Sequence, residues 1–145
     1  MTEVQRRIGL MGGTFDPIHY GHLVTAEAAR YKYLLDEVIF VPSGNPPHKK
    51  ERRISSADDR LMMSTLATVT NSFFSVSDLE IIRGGYSYTY DTVREFKQLY
   101  PHSEIYFITG ADAISEIITW KKVELLFDQC YFIAATRPGF DFDEL

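Results

Sequence analysis

Two histidines, His19 and His22, stand three residues apart inside the segment GGTFDPIHYGH, residues 12–22. On a helix that spacing projects both imidazoles from one face of a single turn. Gly12 and Gly13 precede them, and glycine lets the backbone turn sharply and approach a ligand closely. The helix after the loop is read to begin near Ile18–Gly21. Its unpaired N–H groups and the positive end of its dipole then face the loop. Gly21 removes a side chain between the histidines, and Thr14 offers a hydroxyl to the same space. Together these residues make a phosphate site in kind. Two imidazoles at a positive dipole end can donate hydrogen bonds to phosphate oxygens and stabilise charge building on phosphorus in a transition state. Neither a G-x-G-x-x-G fingerprint nor a Gly-Lys-Ser/Thr element follows, so this is neither a dinucleotide turn nor a P-loop. No serine or cysteine stands where a nucleophile is needed, which favours direct displacement over a covalent intermediate. The plain alternative is a helix cap or a surface pair, and spacing alone does not separate the two. As a zinc site the pair is poor, because no third ligand lies at close spacing and Cys130 is remote in an apolar run.

The elements that must position this segment read as alternating strands and helices. Arg7–Gly12 is a short apolar strand. His22–Leu34 is a helix with Leu23, Ala26, Ala29, Tyr33 and Leu34 at helical spacing. Glu37–Pro42 is a second strand, followed by the loop SGNPPHKK. Ala57–Thr70 is a helix with Leu61, Met62, Leu66 and Val69 periodic and Ser56 as its N-cap. Phe73–Leu79 alternates as a strand does, and Arg83–Ser87 is a glycine-containing loop. Thr89–Tyr100 is a helix stopped before Pro101. Glu104–Thr109 is a strand, Gly110 opens a turn into a helical stretch over Asp112–Ile118, Val123–Phe127 is a short helix and Gln129–Thr136 is the last strand. Nearly all-apolar strands alternating with helices predict an α/β fold: a doubly wound parallel sheet flanked by helices on both faces. The loops GGTFDPIH, SGNPPHK and TGAD leave the carboxyl ends of strands one, two and four. They share one rim, where such sheets bind ligands.

A length of 145 residues suits a single domain over residues 1–145. With 45% hydrophobic and 24% charged residues the composition argues against disorder. No apolar run is long enough to cross a bilayer, and Met1–Arg7 is polar, unlike a signal peptide. Cys130 is the single cysteine, so there is no internal disulfide framework, and a cytoplasmic location is expected. Cys130 itself is read as a small core residue. A net charge of −5 argues against bulk nucleic-acid binding while leaving room for a local cationic pocket.

The segment GGTFDPIHYGH resembles the signature of the adenylyl- and cytidylyltransferases, with its H-x-G-H element at His19, Gly21 and His22. The ordered set GGTFDPIH, VPSGNPPHK, GGYSYTYDT, ITGADAISEIITWKK and TRPGF is similar to the bacterial nicotinate-nucleotide adenylyltransferases, from about Ile8 to Phe140. The resemblance implies a Rossmann-like sheet and transfer of AMP from ATP to nicotinate mononucleotide, giving deamido-NAD and pyrophosphate, with Mg²⁺ carried by ATP. It implies that His19, His22 and Thr14 act on the phosphates, with His22 at the reacting α-phosphoryl group. Gly12, Gly13, Phe15, Asp16, Gly21, Gly110, Asp112 and Arg137 fall on the ATP side by the same resemblance. Phe15 and Asp16 shape the loop, and core packing is an equal reading for Phe15. Ser43, His48, Lys49, Thr89 and Trp120 fall on the acceptor side. Ser43 stands where several relatives are expected to have asparagine. Thr89 opens a helix whose N–H groups would take the nicotinate carboxylate, with a plain N-cap as the alternative. Trp120 would stack on the pyridine ring.

The resemblance also exposes a departure. The family continues to an S-S-T-x-I-R-type motif that binds ATP phosphates, and this chain lacks it; Ile54-Ser55-Ser56 lies in the wrong place. A domain without that segment is expected to expose apolar surface. Two alternatives therefore stand: a transferase with another acceptor, nicotinamide mononucleotide or phosphopantetheine, and a nucleotide-binding domain without full activity. No membrane partner is expected, and a homo-oligomer is left open.

Overall fold

The computed structural model describes residues 5–44, 54–85, 88–110, 117, 119, 120 and 122–135, and the backbone of Phe142–Glu144. Its centre is the strand β1 (Arg6–Gly13), paired in parallel with β2 (Glu37–Pro42) on one side and β4 (Ser103–Gly110) on the other. β3 (Phe74–Val76) lies outside β2, and β5 (Tyr131–Ala135) outside β4. β6 (Phe142–Glu144) runs antiparallel to β5, so the order is β3-β2-β1-β4-β5-β6. Order reverses between β1 and β4, which makes the rim beyond their carboxyl ends the switch point of the sheet. The five parallel strands are the five read from sequence; β6 was not among them.

Both faces of the sheet are covered, and the strand sequences show why. Met11, Val38, Phe40, Tyr106, Ile108, Ile133 and Ala135 fill one core, with Ala26 and Ala29 of the helix α1 (Tyr20–Tyr33). Ile8, Leu10, Ile39, Val41, Ile105, Phe107 and Phe132 alternate with them into the other. There they meet Val93 and Phe96 of α4 (Thr89–Leu99) and Leu126 of α5 (Val123–Gln129). Successive side chains point to opposite faces, so a strand buried on both must be apolar throughout.

Three expectations are corrected. The strand read over Phe73–Leu79 ends at Val76, because the Ser77 hydroxyl accepts from the Leu79 N–H (3.2 Å) and a short helix, α3 (Leu79–Arg83), begins there. The last strand starts at Tyr131, since α5 runs on to Gln129. The helix α2 (Ala57–Thr68) turns inward the opposite face to the one expected. Arg60, Ser64 and Thr68 are buried, whereas Met62, Leu66 and Val69 are 59%, 66% and 73% exposed. Main-chain carbonyls at the sheet rim need donors, and Arg60 supplies them. Ser56 does cap α2, accepting from the Asp59 N–H at 3.1 Å. Cys130 is half-buried against the second core, and burial pushes its thiol up to about 12.

Candidate active site

The turn leaving β1 is built around its own histidines. His19 is extended (φ −137°, ψ 176°) and caps α1: its Nδ1 accepts the Gly21 N–H at 3.1 Å. His22, one turn in, returns the bond, its Nδ1 accepting the His19 N–H at 3.1 Å. This is a reciprocal capping box with imidazoles in place of the usual hydroxyl and carboxylate. A neutral imidazole that accepts through Nδ1 carries its proton on Nε2. The cap therefore fixes the tautomer and leaves Nε2–H as a donor on each ring. The rings stack with centroids 3.8 Å apart and 25° between planes. Burial first, then the neighbouring His19, pull His22 from 6.5 down to about 4, so it stays neutral at physiological pH. Gly21 has a reason the sequence did not disclose: a Cβ there would press on His19 Cε1 at 3.0 Å. The glycine makes room for the capping ring itself.

Phe15 and Asp16 hold this turn from behind. Phe15 has a left-handed backbone (φ 50°), is 3% exposed and presents its ring edge to His22 at 5.0 Å and 90°. It is core packing that touches the site. Asp16 accepts the Ser55 N–H at 2.9 Å, joining the β1 turn to the start of α2.

The neighbouring turn leaves β2. Ser43 donates its N–H to Gly13 O at 2.9 Å. Its hydroxyl is buried and meets no hydrogen-bond partner among the described residues. Sequence reading missed Arg60, which is 2% exposed and donates to the carbonyls of Thr14 (3.0 Å), Ser43, Gly44 (3.1 Å) and Ser55 (3.0 Å). Burial pulls the guanidinium pKa down and the Asp16 carboxylate pulls it back. The available signal was the stripe Arg60, Ser64, Thr68 at four-residue spacing, polar on a helix whose apolar residues lie elsewhere.

Beyond β4 the chain brings Trp120 and the start of α4 together. Trp120 is half-buried and packs edge-on to Phe107 (6.0 Å, 89°). Phe107 in turn lies 3.6 Å from where a Cβ on Gly12 would stand, so one side chain separates Trp120 from the β1 rim. Lys122 sits over the ring of Tyr90, 5.0 Å from its centroid, tying this segment to the first turn of α4. Thr89 is the first residue inside α4 and not its cap. Tyr88 occupies the cap position and makes no side-chain cap hydrogen bond. The turn into α4 uses Gly84 and Gly85 at φ 72° and 67°, a region glycine enters without strain. Thr92 then anchors the helix to α3, donating to Glu80 Oε2 at 2.6 Å and accepting from Arg83 at 2.9 Å. Gly110 ends β4 on the same rim, exposed. His48, Lys49, Asp112 and Arg137, and the helical reading of 112–118 apart from residue 117, lie outside the described residues. Among the described residues no cluster of three His, Cys, Asp or Glu is placed to hold a metal ion, and no helix is long and apolar enough to cross a membrane.

A doubly wound sheet with imidazole donors at its switch point defines a class, and comparison with known proteins agrees with it. The cytidylyltransferase-like family model matches residues 10–145, and the chain belongs to that family. A Moorella thermoacetica protein named "Probable nicotinate-nucleotide adenylyltransferase" is 61% identical over 140 residues, 96% of this chain and 64% of its own length. A Thermoanaerobacter protein of the same name is 59% identical over 138 residues, 94% of this chain and 65% of its own length. The chain thus spans a little under two thirds of these curated relatives. Among solved structures, Plasmodium falciparum nicotinic acid mononucleotide adenylyltransferase complexed with NaAD superposes with a TM-score of 0.79. It is 27% identical, over 96% of this chain and 68% of that one.

Proposed function

We propose that this chain carries the adenylyl-transfer site of a nicotinate-nucleotide adenylyltransferase, over residues 1–145 as one domain. A phosphate oxygen of nicotinate mononucleotide attacks the α-phosphorus of ATP, the bond from that phosphorus to the β-bridging oxygen breaks, and pyrophosphate leaves. Deamido-NAD is the other product. The observation that carries this reading is the reciprocal His19–His22 cap with both Nε2–H groups left as donors. Donors fixed before the reaction stabilise charge that develops on the phosphoryl oxygens without reorganising. In this reading His22 meets the α-phosphoryl group, and His19, Thr14, Gly12 and Gly13 line the remaining phosphates. Phe15 and Asp16 serve ATP by holding the turn, with Gly110, Asp112 and Arg137 completing that side. Mg²⁺, carried by ATP, would neutralise charge on its phosphates.

On the acceptor side, the buried Ser43 hydroxyl has an unmet hydrogen bond to offer a substrate. Trp120 stacks on the pyridine ring, a contact worth about 0.5–1.5 kcal/mol beyond area. His48 and Lys49 take the acceptor phosphate. The N–H groups of α4 beside Thr89 take the nicotinate carboxylate, since the start of a helix offers N–H donors and a positive dipole end to an anion. An anion at a helix start gains about 0.3–2 kcal/mol, so the acid is preferred to the amide. The reading places the protein in the cytoplasm, with no nucleic-acid or membrane partner; a homo-oligomer is compatible with it.

Pyrophosphate release by the 145-residue chain, with ATP and nicotinate mononucleotide together, tests the reading. Release that needs both substrates is the expected result. Binding of both without release favours a nucleotide-binding domain instead. Equal use of nicotinamide mononucleotide removes the role given to the start of α4.

A further inference from the structure

Arg60 acts on the site without facing it. Four of its five N–H donors end on main-chain carbonyls, and these lie on three segments. Thr14 belongs to the turn leaving β1, Ser43 and Gly44 to the turn leaving β2, and Ser55 to the approach to α2. Ser43 N–H to Gly13 O and Ser55 N–H to Asp16 close the same ring of contacts. Of the other buried polar residues of α2, Thr68 donates back to Ser64 O within the helix, and the Ser64 hydroxyl meets no partner among the described residues, so neither reaches the rim. A helix anchor could use carbonyls anywhere on the sheet, yet all four of these sit at the carboxyl-end rim. One of the two sheet turns leads to the imidazole pair, and the other bears the unpartnered Ser43 hydroxyl. Lysine offers three donors from a single atom and cannot reproduce a planar fork across three segments.

We infer that Arg60 is a positioning residue: it sets the spacing between the imidazole pair on the β1 turn and the Ser43 hydroxyl on the β2 turn. Its consequence for turnover rests on the adenylyl-transfer reading; the coupling of the two turns does not. Displacing one bound reactant from the other affects the step that needs both, and leaves the binding of each alone in place.

The test is Arg60→Lys, which keeps the charge, read in two ways on the 145-residue chain. In amide exchange, the N–H groups of Ser43 and Ser55 are expected to exchange at least about tenfold faster, while those of Leu10 and Ile39 in the sheet keep their rates. In kinetics, kcat is expected to fall about 10- to 100-fold, with the dissociation constants of ATP and of nicotinate mononucleotide, each measured alone, nearly unchanged. Unchanged exchange at Ser43 and Ser55 overturns the inference. So does a variant that fails to fold, or one that loses both binary affinities in step with kcat, since either assigns Arg60 to plain stability. If the unsubstituted chain releases no pyrophosphate, the functional reading fails, and the exchange result alone still decides whether Arg60 couples the turns.

Discussion

On the turn from β1 into α1, the polar groups that shape the site have partners inside the chain. Both Nδ1 atoms accept backbone N–H groups, Asp16 holds Ser55, and the Thr14 carbonyl holds Arg60. On the side that the proposed reading gives to the acceptor, the Ser43 hydroxyl is buried without a partner among the described residues, and Tyr88 at the cap position of α4 makes no side-chain cap hydrogen bond. The difference is chemical. Groups that must stabilise charge at the moment of transfer gain by being fixed beforehand. Groups that recognise a substrate can be left for that substrate to satisfy, and then an analogue lacking the matching group leaves them unpaired. Under the proposed reading, the β1 turn is a prepared electrostatic device, and the side given to the acceptor keeps hydrogen bonds for its substrate to complete.

The strongest way to break this comparison is His22→Ala. It removes one Nε2–H donor and half of the capping box, and turnover is expected to fall by about 10²–10³-fold, the scale of losing one preorganised donor. Circular dichroism should show the fold retained. Near-normal turnover would remove His22 from the mechanism. A second outcome concerns pH. His22 is held at about 4 in the folded chain against 6.5 unfolded. Above 6.5 both states are neutral and the residue makes no difference to stability. As pH falls from 6.5 toward 4 the unfolded chain takes up a proton that the folded chain refuses, so stability falls across that window. Thermal melts should show this loss in the native chain and a smaller one in His22→Gln. An equal loss in both would mean the window belongs to other groups.

Next in size is Thr92→Val, which strikes the support beneath the acceptor side. It removes the hydroxyl between Glu80 and Arg83 and leaves the buried carboxylate short of a donor, at about 1–3 kcal/mol. A lower melting temperature is expected, with affinity for nicotinate mononucleotide falling more than affinity for ATP. Equal losses in the two affinities would show that α4 does not serve the acceptor alone.

The two sides also differ in how far they were legible in the sequence. The β1 turn announced itself because its chemistry is local: glycines, a helix start and two histidines lie within eleven residues. The strands were legible because burial on both faces leaves an apolar run whatever the partners are. Arg60 was not, because its role depends on carbonyls up to 46 residues away, which no periodicity records. For the same reason α2 was read inside out: Leu61, Met62, Leu66 and Val69 follow the helical rule, and tertiary hydrogen bonding overrode it. Thr89 was placed at the right helix start and one position too early in role, since Tyr88 also allows the extended cap conformation (φ −118°, ψ 139°).

The smallest effect is the most diagnostic of the contrast. Ser43→Ala deletes a hydroxyl that bonds to nothing among the described residues. A mutation that removes a satisfied hydrogen bond costs about 0.5–1.5 kcal/mol of stability, whereas removing an unsatisfied buried group costs nothing and can stabilise. The melting temperature of Ser43→Ala should therefore match or exceed that of the native chain. If the hydroxyl is kept for the substrate, affinity for nicotinate mononucleotide should drop by the value of one hydrogen bond, about 0.5–1.5 kcal/mol, with ATP affinity unmoved. Stability and acceptor binding would then move in opposite directions on a single substitution. A loss of stability with binding intact would instead make Ser43 part of the scaffold that Arg60 holds, and the line between the prepared side and the unmet side would have to be redrawn at α4 alone.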